Sequence, residues 1–390
     1  MWIRKIIGKL HLWLGLISGF IVLMLAVTGC IYAFQQEIQD ATQPYRHVAA
    51  QSSPFLPPSR LHHIADSANP HKHVHAIRYA GPESAAQAIY YEYLNYYDIV
   101  FLNPYTGEVL KVKDMEKGFF PFILEGHFYL WLPHSVGQPV VAVATLIFFV
   151  MVISGIILWW PRNKAGARQR FTIKWNARWR RRNYDLHNVL GFYVSWIGLI
   201  FAVTGLVWGF QWFSKTAYWV SSGGKQQVEF YDPGSDTTAV LAQLAAPAPD
   251  LIWEKMKKEY PDAGSLEVHI PEGPGGSIEV GANPSTTSYW KADYRYFDQY
   301  TLKELPVKHT WGRVDQANGG DLFMRMNYDI HTGAIWGLPG KILAFCGSLL
   351  IGSLPITGFL IWLGRKKKTA AKKSAVPRTA RAPRPVTAEV

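Results

Sequence analysis

Four stretches of the chain are continuously apolar and nearly free of charge, at about 10–34, 136–160, 187–210 and 341–363. Each approaches the roughly 20 residues needed to cross a ~30 Å hydrocarbon core, so the pattern predicts four membrane helices. Between the first and second, and between the third and fourth, the pattern changes. Short alternating segments at 73–80, 90–102 and 289–297 are separated by turn chemistry such as Asn103-Pro-Tyr-Thr-Gly107. These predict two small segments of strands and helices. The expected fold class is membrane α-helical, with four transmembrane helices as two tandem pairs and a two-part α+β domain on one side. The expected division is helix 1 in 1–34, a first outer segment in 35–125, helix 2 in 126–161 and a basic loop in 162–183. Helix 3 follows in 184–213, a second outer segment in 214–326, helix 4 in 327–364 and a disordered basic tail in 365–390.

The third apolar stretch repeats the first. His11 and His187, Gly15 and Gly191, and Ala-Val-Thr-Gly ending at Gly29 and at Gly205 are all 176 residues apart. Gly155 and Gly358 are 203 apart, and His127 and His331 are 204 apart. The outer segments repeat as well: Asn103-Pro-Tyr-Thr-Gly-Glu-Val-Leu110 echoes Asp298-Gln-Tyr-Thr-Leu-Lys-Glu-Leu305. One unit of helix, small α+β segment and helix is written twice. Such repeats are often related by an axis along the membrane normal, with sites at their interface.

The formal charge of +12 is concentrated in two blocks, Arg162 to Arg182 and Arg365 to Arg384, and both flank apolar stretches. This positive-inside pattern places both termini and the basic loop in the cytoplasm, with no need of a nucleic-acid partner. The tail is expected to rest on membrane lipid. The two cysteines, Cys30 and Cys346, sit in apolar runs and suggest no disulfide framework. No Cys-x-x-Cys-His occurs, which excludes covalent c-type haem. The first apolar run is too long for a signal peptide and is read as a retained anchor.

The topology puts the histidines in two depth classes. His11 and His187 lie at the cytoplasmic ends of helices 1 and 3, and His127 and His331 at the outer ends of helices 2 and 4. An ionisable residue at membrane depth is a functional hypothesis by default, and two equivalent imidazoles at one depth suggest one metal between them. Two non-covalent b-type haems are therefore expected, one per level, with these four histidines as axial ligands of the haem iron. Gly15 and Gly191, four residues after the inner histidines, would leave room for a flat macrocycle. Arg4, Lys5, Lys9, Arg181 and Arg182 at the rim would neutralise propionates. The bland alternative for any one histidine is an interhelical hydrogen bond; registered duplication at both ends argues against it. His134 is the runner-up to His127, and His309 a weaker rival for the outer site. His71, His73 and His75 would share one face of a strand, but the bland reading of an exposed polar edge is preferred, since no acidic or cysteine partner is near.

Several short motifs combine into a resemblance. Lys9-Leu-His11-x-x-x-Gly15 with Thr28-Gly29, the Tyr-Thr-Gly strand turn, Gly155 to Pro161, and Ile330-His331-Thr-Gly333 with Leu338-Pro-Gly340 together resemble the PepSY-associated transmembrane family. The likeness runs through nearly all of residues 1–365. It implies an iron-regulated protein of the bacterial inner membrane with PepSY-like periplasmic segments, most similar to the b-type haem reductases of ferric siderophores such as ferrioxamine. Some relatives carry a fused flavin/nicotinamide reductase domain. None follows here, so the resemblance leaves the electron donor open between quinol and a cytoplasmic flavoprotein. The rival readings are a membrane cytochrome b that oxidises quinol, a PepSY binding module merely anchored by helices, and a transporter with histidine proton relays.

Overall fold

The computed structural model describes residues 2–93, 95–161, 170–238 and 244–374. The basic stretch 162–169 and the tail 375–390 lie outside them. Helices α1 (Trp2–Tyr32), α5 (His134–Trp159), α6 (Trp179–Gly209) and α10 (Gly337–Ser374) form the bundle. Four segments are long and apolar enough to cross a membrane: Trp2–Thr42, His134–Trp159, Trp179–Gly209 and Ala334–Lys366. Helices α1 and α6 each pack on both α5 and α10, so α1 and α6 stand diagonally across the bundle.

Three helical boundaries differ from the apolar pattern. Helices α1, α6 and α10 run past their apolar stretches, to Trp2, Trp179 and Ser374. Arg and Lys are good helix formers, so a helix need not stop where the hydrocarbon does. Arg180, Arg181 and Arg182, expected in a loop, are helical for this reason, as are residues 365–374 of the expected disordered tail. A further difference positions the site. His127 is not on the long helix that follows it but on a separate short helix, α4 (Phe119–Tyr129). Leu130 and Trp131 take positive φ, Pro133 follows, and α5 starts at His134. Likewise His331 lies on α9 (Gly319–Thr332), which Gly333 ends in the left-handed conformation ahead of α10.

Two short helices, α2 (Gln35–Thr42) and α7 (Gln211–Ser221), extend α1 and α6. Beyond them lies one eight-stranded antiparallel sheet of order β4-β3-β2-β1-β5-β6-β7-β8. The first repeat supplies β1 (Ala76–Tyr79), β2 (Ala86–Glu92), β3 (Tyr96–Leu102) and β4 (Val109–Asp114). The second supplies β5 (Ser265–His269), β6 (Ser277–Asn283), β7 (Asp293–Asp298) and β8 (Glu304–Leu305). The halves join at one seam, where β1 pairs with β5 from Ala76↔His269 to Tyr79↔Leu266. The apolar run 90–102 is two strands. Its tyrosines hide the turn around Asn95, whose N–H donates to the Glu92 carbonyl.

Helices α3 (Pro58–Ala68) and α8 (Ala248–Glu259) cover one face of the sheet. Leu61 and Ala65 of α3 and Ile252, Trp253 and Met256 of α8 bury against Ile77, Tyr79, Val268, Val280 and Phe297. Trp253 stacks on Tyr79 with ring centres 4.8 Å apart. Burying a large apolar side chain in this way contributes roughly 1.5–3 kcal/mol. The repeated turn is reproduced atom by atom. Asn103 Oδ1 accepts from the N–H groups of Tyr105 and Thr106, and Asp298 Oδ1 accepts from those of Tyr300 and Thr301. Gly107 has φ +79°, and its counterpart Leu302 has φ +58°, the left-handed region a branched side chain rarely enters.

At the far end of the sheet Glu304 receives two hydrogen bonds each from Arg295 and Arg313, at 2.5–3.0 Å. Arg295 is buried and also pairs with Glu259. Partial burial works against the Glu304 carboxylate, but the two guanidinium groups outweigh it and hold its pKa down to about 2. A carboxyl depressed in this way contributes stability above its unfolded value and loses it as pH falls through about 2. Glu304→Gln is therefore expected to cost about 1–3 kcal/mol at pH 7. The gap from the unaltered protein should narrow as pH falls through 4 toward 2, read by thermal unfolding across that range. An unchanged melting temperature at pH 7 would show that the network contributes nothing.

Candidate metal centres in the helical bundle

Each of the four paired histidines meets a hydroxyl from another helix. His11 Nδ1 lies 2.8 Å from Ser154 Oγ on α5, and His187 Nδ1 lies 2.9 Å from Thr357 Oγ1 on α10. His127 Nδ1 lies 3.0 Å from Thr28 Oγ1 on α1, and His331 Nδ1 lies 2.7 Å from Thr204 Oγ1 on α6. All four hydroxyls donate their single proton to a backbone carbonyl three or four residues back in their own helix: Ser154 to Met151, Thr357 to Ser353 or Leu354, Thr28 to Met24, Thr204 to Ile200. Toward the imidazole each can then only accept. Nδ1 therefore carries the ring proton, and Nε2 presents a lone pair. This is the tautomer a metal-ligating histidine takes when its other nitrogen is held by an outer partner.

The residue after each hydroxyl is glycine, and the ring lies against it. A Cβ added at Gly155 would sit 3.4 Å from His11 Cε1, at Gly358 3.2 Å from His187 Cε1, and at Gly29 3.3 Å from His127 Cε1. At Gly205 the distance to His331 Cε1 would be 3.8 Å. A hydroxyl residue followed by glycine thus occurs four times as a cradle, once per histidine. The cradles are exchanged within each repeat. Helix α1 carries His11 and the cradle of His127, while α5 carries the cradle of His11; α6 and α10 do the same for His331 and His187.

The pairs themselves cross the repeats. His127 faces His331 with ring centres 6.3 Å apart and planes at 69°. Two imidazoles bonded to one metal from opposite sides, at about 2 Å per bond, have ring centres roughly 6 Å apart. His11 and His187, on the diagonal helices, both line a cavity of about 1010 Å³. Its walls include Phe148, Trp159, Phe192, Gly15 and Gly191, and Arg4, Lys5, Arg170 and Arg365 also line it. The volume, the flat glycine-lined walls, the neighbouring cations and the lone-pair nitrogens fit a haem. Gly15 also serves packing, since a Cβ there would meet the Met151 methyl at 2.8 Å; at Gly191 it would meet Leu354 at 3.6 Å. Of the rim cations expected for propionates, Arg4 and Lys5 line the cavity. Arg181 is paired with Asp185, and Arg182 lies over the Trp179 ring.

Helix α9 is a stiff mount for His331. Asn318 and Asp321 cap its start reciprocally. Buried Arg325 donates to the carbonyls of Thr310, Ala292 and Gly312. Asp329 Oδ2 accepts from Ser288 Oγ and from the N–H groups of Tyr289 and Trp290. These bonds tie the loops of the sheet to the helix that carries the outer histidine.

The rival residues fall elsewhere. His134 is the exposed first residue of α5, its ring against Tyr129 at 5.0 Å. His309 is buried among Phe230, Tyr231 and Tyr296, and accepts at Nδ1 from the Trp311 N–H. His71 and His73 precede the first strand, which begins at Ala76, so the three histidines do not share a strand face. His75 instead meets His269 across the seam, with Nε2 3.1 Å from His269 Nδ1, and His269 Nε2 is 3.2 Å from Glu267. Burial, with His269 beside it, holds the His75 pKa below its ordinary value. Burial opposes the His269 cation too, but its hydrogen bond to Glu267 and the nearby carboxylates raise the pKa overall. Among the described residues no group of three or more His, Cys, Asp or Glu is arranged to hold a metal ion. The cradles were written in the sequence as Thr28-Gly29, Ser154-Gly155, Thr204-Gly205 and Thr357-Gly358, but which histidine each one holds is set by helix packing.

No curated protein matches the chain. The family described as the PepSY-associated TM region matches residues 9–365, through all four membrane-length helices and the sheet between them. The chain belongs to that family.

Proposed function

We propose that the protein is an inner-membrane reductase of ferric siderophores that binds two b-type haems and carries electrons from the cytoplasmic side to a ferric chelate in the periplasm. The observation that carries this reading is the fourfold hydroxyl–glycine cradle, which leaves every paired histidine with a free Nε2. The basic residues at the His11 end favour the cytoplasm for that end and for both termini, and the sheet would then be periplasmic. Haem b, when bound, supplies a one-electron ferric/ferrous couple at each level. His11 with His187, and His127 with His331, would hold the two haems. Ser154, Thr357, Thr28 and Thr204 keep each Nδ1 protonated and so keep Nε2 a ligand. Lys5, Arg170 and Arg365 offset the negative charge of propionates. The apolar helices exclude water from both levels. One electron added to Fe(III) in an oxygen-donor chelate gives Fe(II), which such ligands hold more weakly, so iron leaves and the chelator stays intact. The electron donor is a quinol or a cytoplasmic flavoprotein.

The test is anaerobic. Purified protein should show a Soret band that shifts on dithionite. Adding a ferric hydroxamate siderophore to the reduced protein should reoxidise it and yield Fe(II), caught by a ferrous-specific chelator. A protein that stays reduced with hydroxamate, catecholate and carboxylate chelates, yet is reduced by quinol, is a quinol dehydrogenase instead. A purified protein without a Soret band is a membrane-anchored binding module.

A further inference from the structure

The two repeats differ at one position beside the histidines. Four residues before His187 stands Asn183, and four before His331 stands Asn327. In the first repeat the same position is isoleucine both times, Ile7 before His11 and Ile123 before His127. Both asparagines are buried, at 3% and 2% exposure. Asn183 Nδ2 donates to the Thr357 carbonyl at 3.0 Å, and Asn327 Nδ2 donates to the Thr204 carbonyl at 3.2 Å. Thr357 and Thr204 are the residues whose hydroxyls receive His187 and His331. Each second-repeat histidine is therefore gripped at two points one helical turn apart, with its own helix bonded to both the hydroxyl and the carbonyl of one threonine. The isoleucines of the first repeat cannot make this second bond; there the other contact of each ring on the facing helix is a backbone carbonyl, that of Met151 for His11 and of Leu25 for His127. In both asparagines Oδ1 is buried and, among the described residues, without a hydrogen-bond partner. Burying an unpaired carbonyl oxygen costs about 1–3 kcal/mol, and isoleucine at the same place in the first repeat avoids it. Packing alone does not call for asparagine at either place.

We propose that Asn183 and Asn327 are positioning residues that fix the rotation and height of His187 and His331 against their cradles. Two bonds to one residue set both the rotation and the height of α6 against α10, and of α9 against α6. One such residue serves each level, because His11 faces the same cavity as His187 and His127 faces His331.

The inference concerns ligands of the centres proposed above, and its test has a readout that needs no haem. Full-length protein labelled with ¹⁵N-histidine is reconstituted in lipid nanodiscs, reduced with dithionite, and the solvent exchange of each ring Nδ1–H is followed by NMR. Asn183→Ile should speed exchange at His187 roughly three- to tenfold, the value of one hydrogen bond of about 1 kcal/mol, and leave His331 unchanged. Asn327→Ile should do the reverse. Asn183→Leu and Asn327→Leu are carried alongside, so that a misfit of the branched side chain does not decide the result. Haem transfer to apomyoglobin should speed by a similar factor at the altered level only. No change at the neighbouring ring in the variants, or equal acceleration at both levels, would overturn the assignment. A chain that purifies without haem would sink the proposed function and still leave the exchange comparison to decide this one.

Discussion

His187→Ala protein is expected to purify with about half the haem of the unaltered chain, and His331→Ala with about half as well. The two pairs share no ligand: His11 and His187 line one cavity, and His127 faces His331 at another level. Each site would depend on both of its imidazoles, so removing one should weaken or abolish haem binding at that level alone. His187→Ala should spare the outer level. His331→Ala should abolish ferrous release from a ferric siderophore while leaving the inner level reducible. His134→Ala and His309→Ala should retain nearly full haem, since the first ring is exposed against Tyr129 and the second is packed among aromatic rings of the sheet. Haem per protein, by the pyridine haemochromogen method, decides between these outcomes. Full haem in both His187→Ala and His331→Ala would mean that the four cradled rings only tie helices together.

A second large effect is expected from filling a cradle without touching a ligand. A Cβ at Gly29 would stand 3.3 Å from His127 Cε1 and 3.6 Å from Ser348 Oγ. Valine adds two methyl groups beyond that point, in a helix that cannot back away because Thr28 is bonded to the same ring. The ring must leave its position, and overpacking of this kind costs about 1–3 kcal/mol. Gly29→Val should therefore lose the outer haem and keep the inner one. Gly81→Val, at a turn where an added Cβ meets nothing within 4 Å, should keep both. Redox titration of the difference spectrum separates the two levels. If Gly29→Val titrates as two full centres, the glycine is not needed by the ring.

Much of this architecture is readable from the chain because two physical constraints leave strong marks. A membrane span needs a long charge-poor run, and a duplicated unit repeats its histidines and glycines at constant offset. Other features leave no such mark. The reversal at Leu130 and Trp131 puts two large residues at positive φ, where glycine would have announced a turn; so His127 reads as the start of the following helix when it ends a separate one. Leu302 hides the second copy of the turn at Gly107 in the same way. The seam between β1 and β5 joins residues about 190 apart, and no local pattern encodes a pairing at that separation. Asn183 and Asn327 read as ordinary polar residues until their threonine carbonyls are seen.

Helix α1 carries His11 for one level and Thr28 for the other, and α6 carries His187 and Thr204; in both helices the spacing is seventeen residues. At 1.5 Å per residue this is about 26 Å along the axis, most of the ~30 Å depth of a hydrocarbon core. An electron passing between the two proposed centres would cross most of the membrane's electric field in that one transfer. Each elementary charge carried across the full field exchanges about 2.3 kcal/mol per 100 mV. With the cytoplasm negative, the outward direction is downhill. The membrane voltage of an energised cell would thus bias electrons toward the sheet side, and its collapse would slow iron release with no change in donor or chelate.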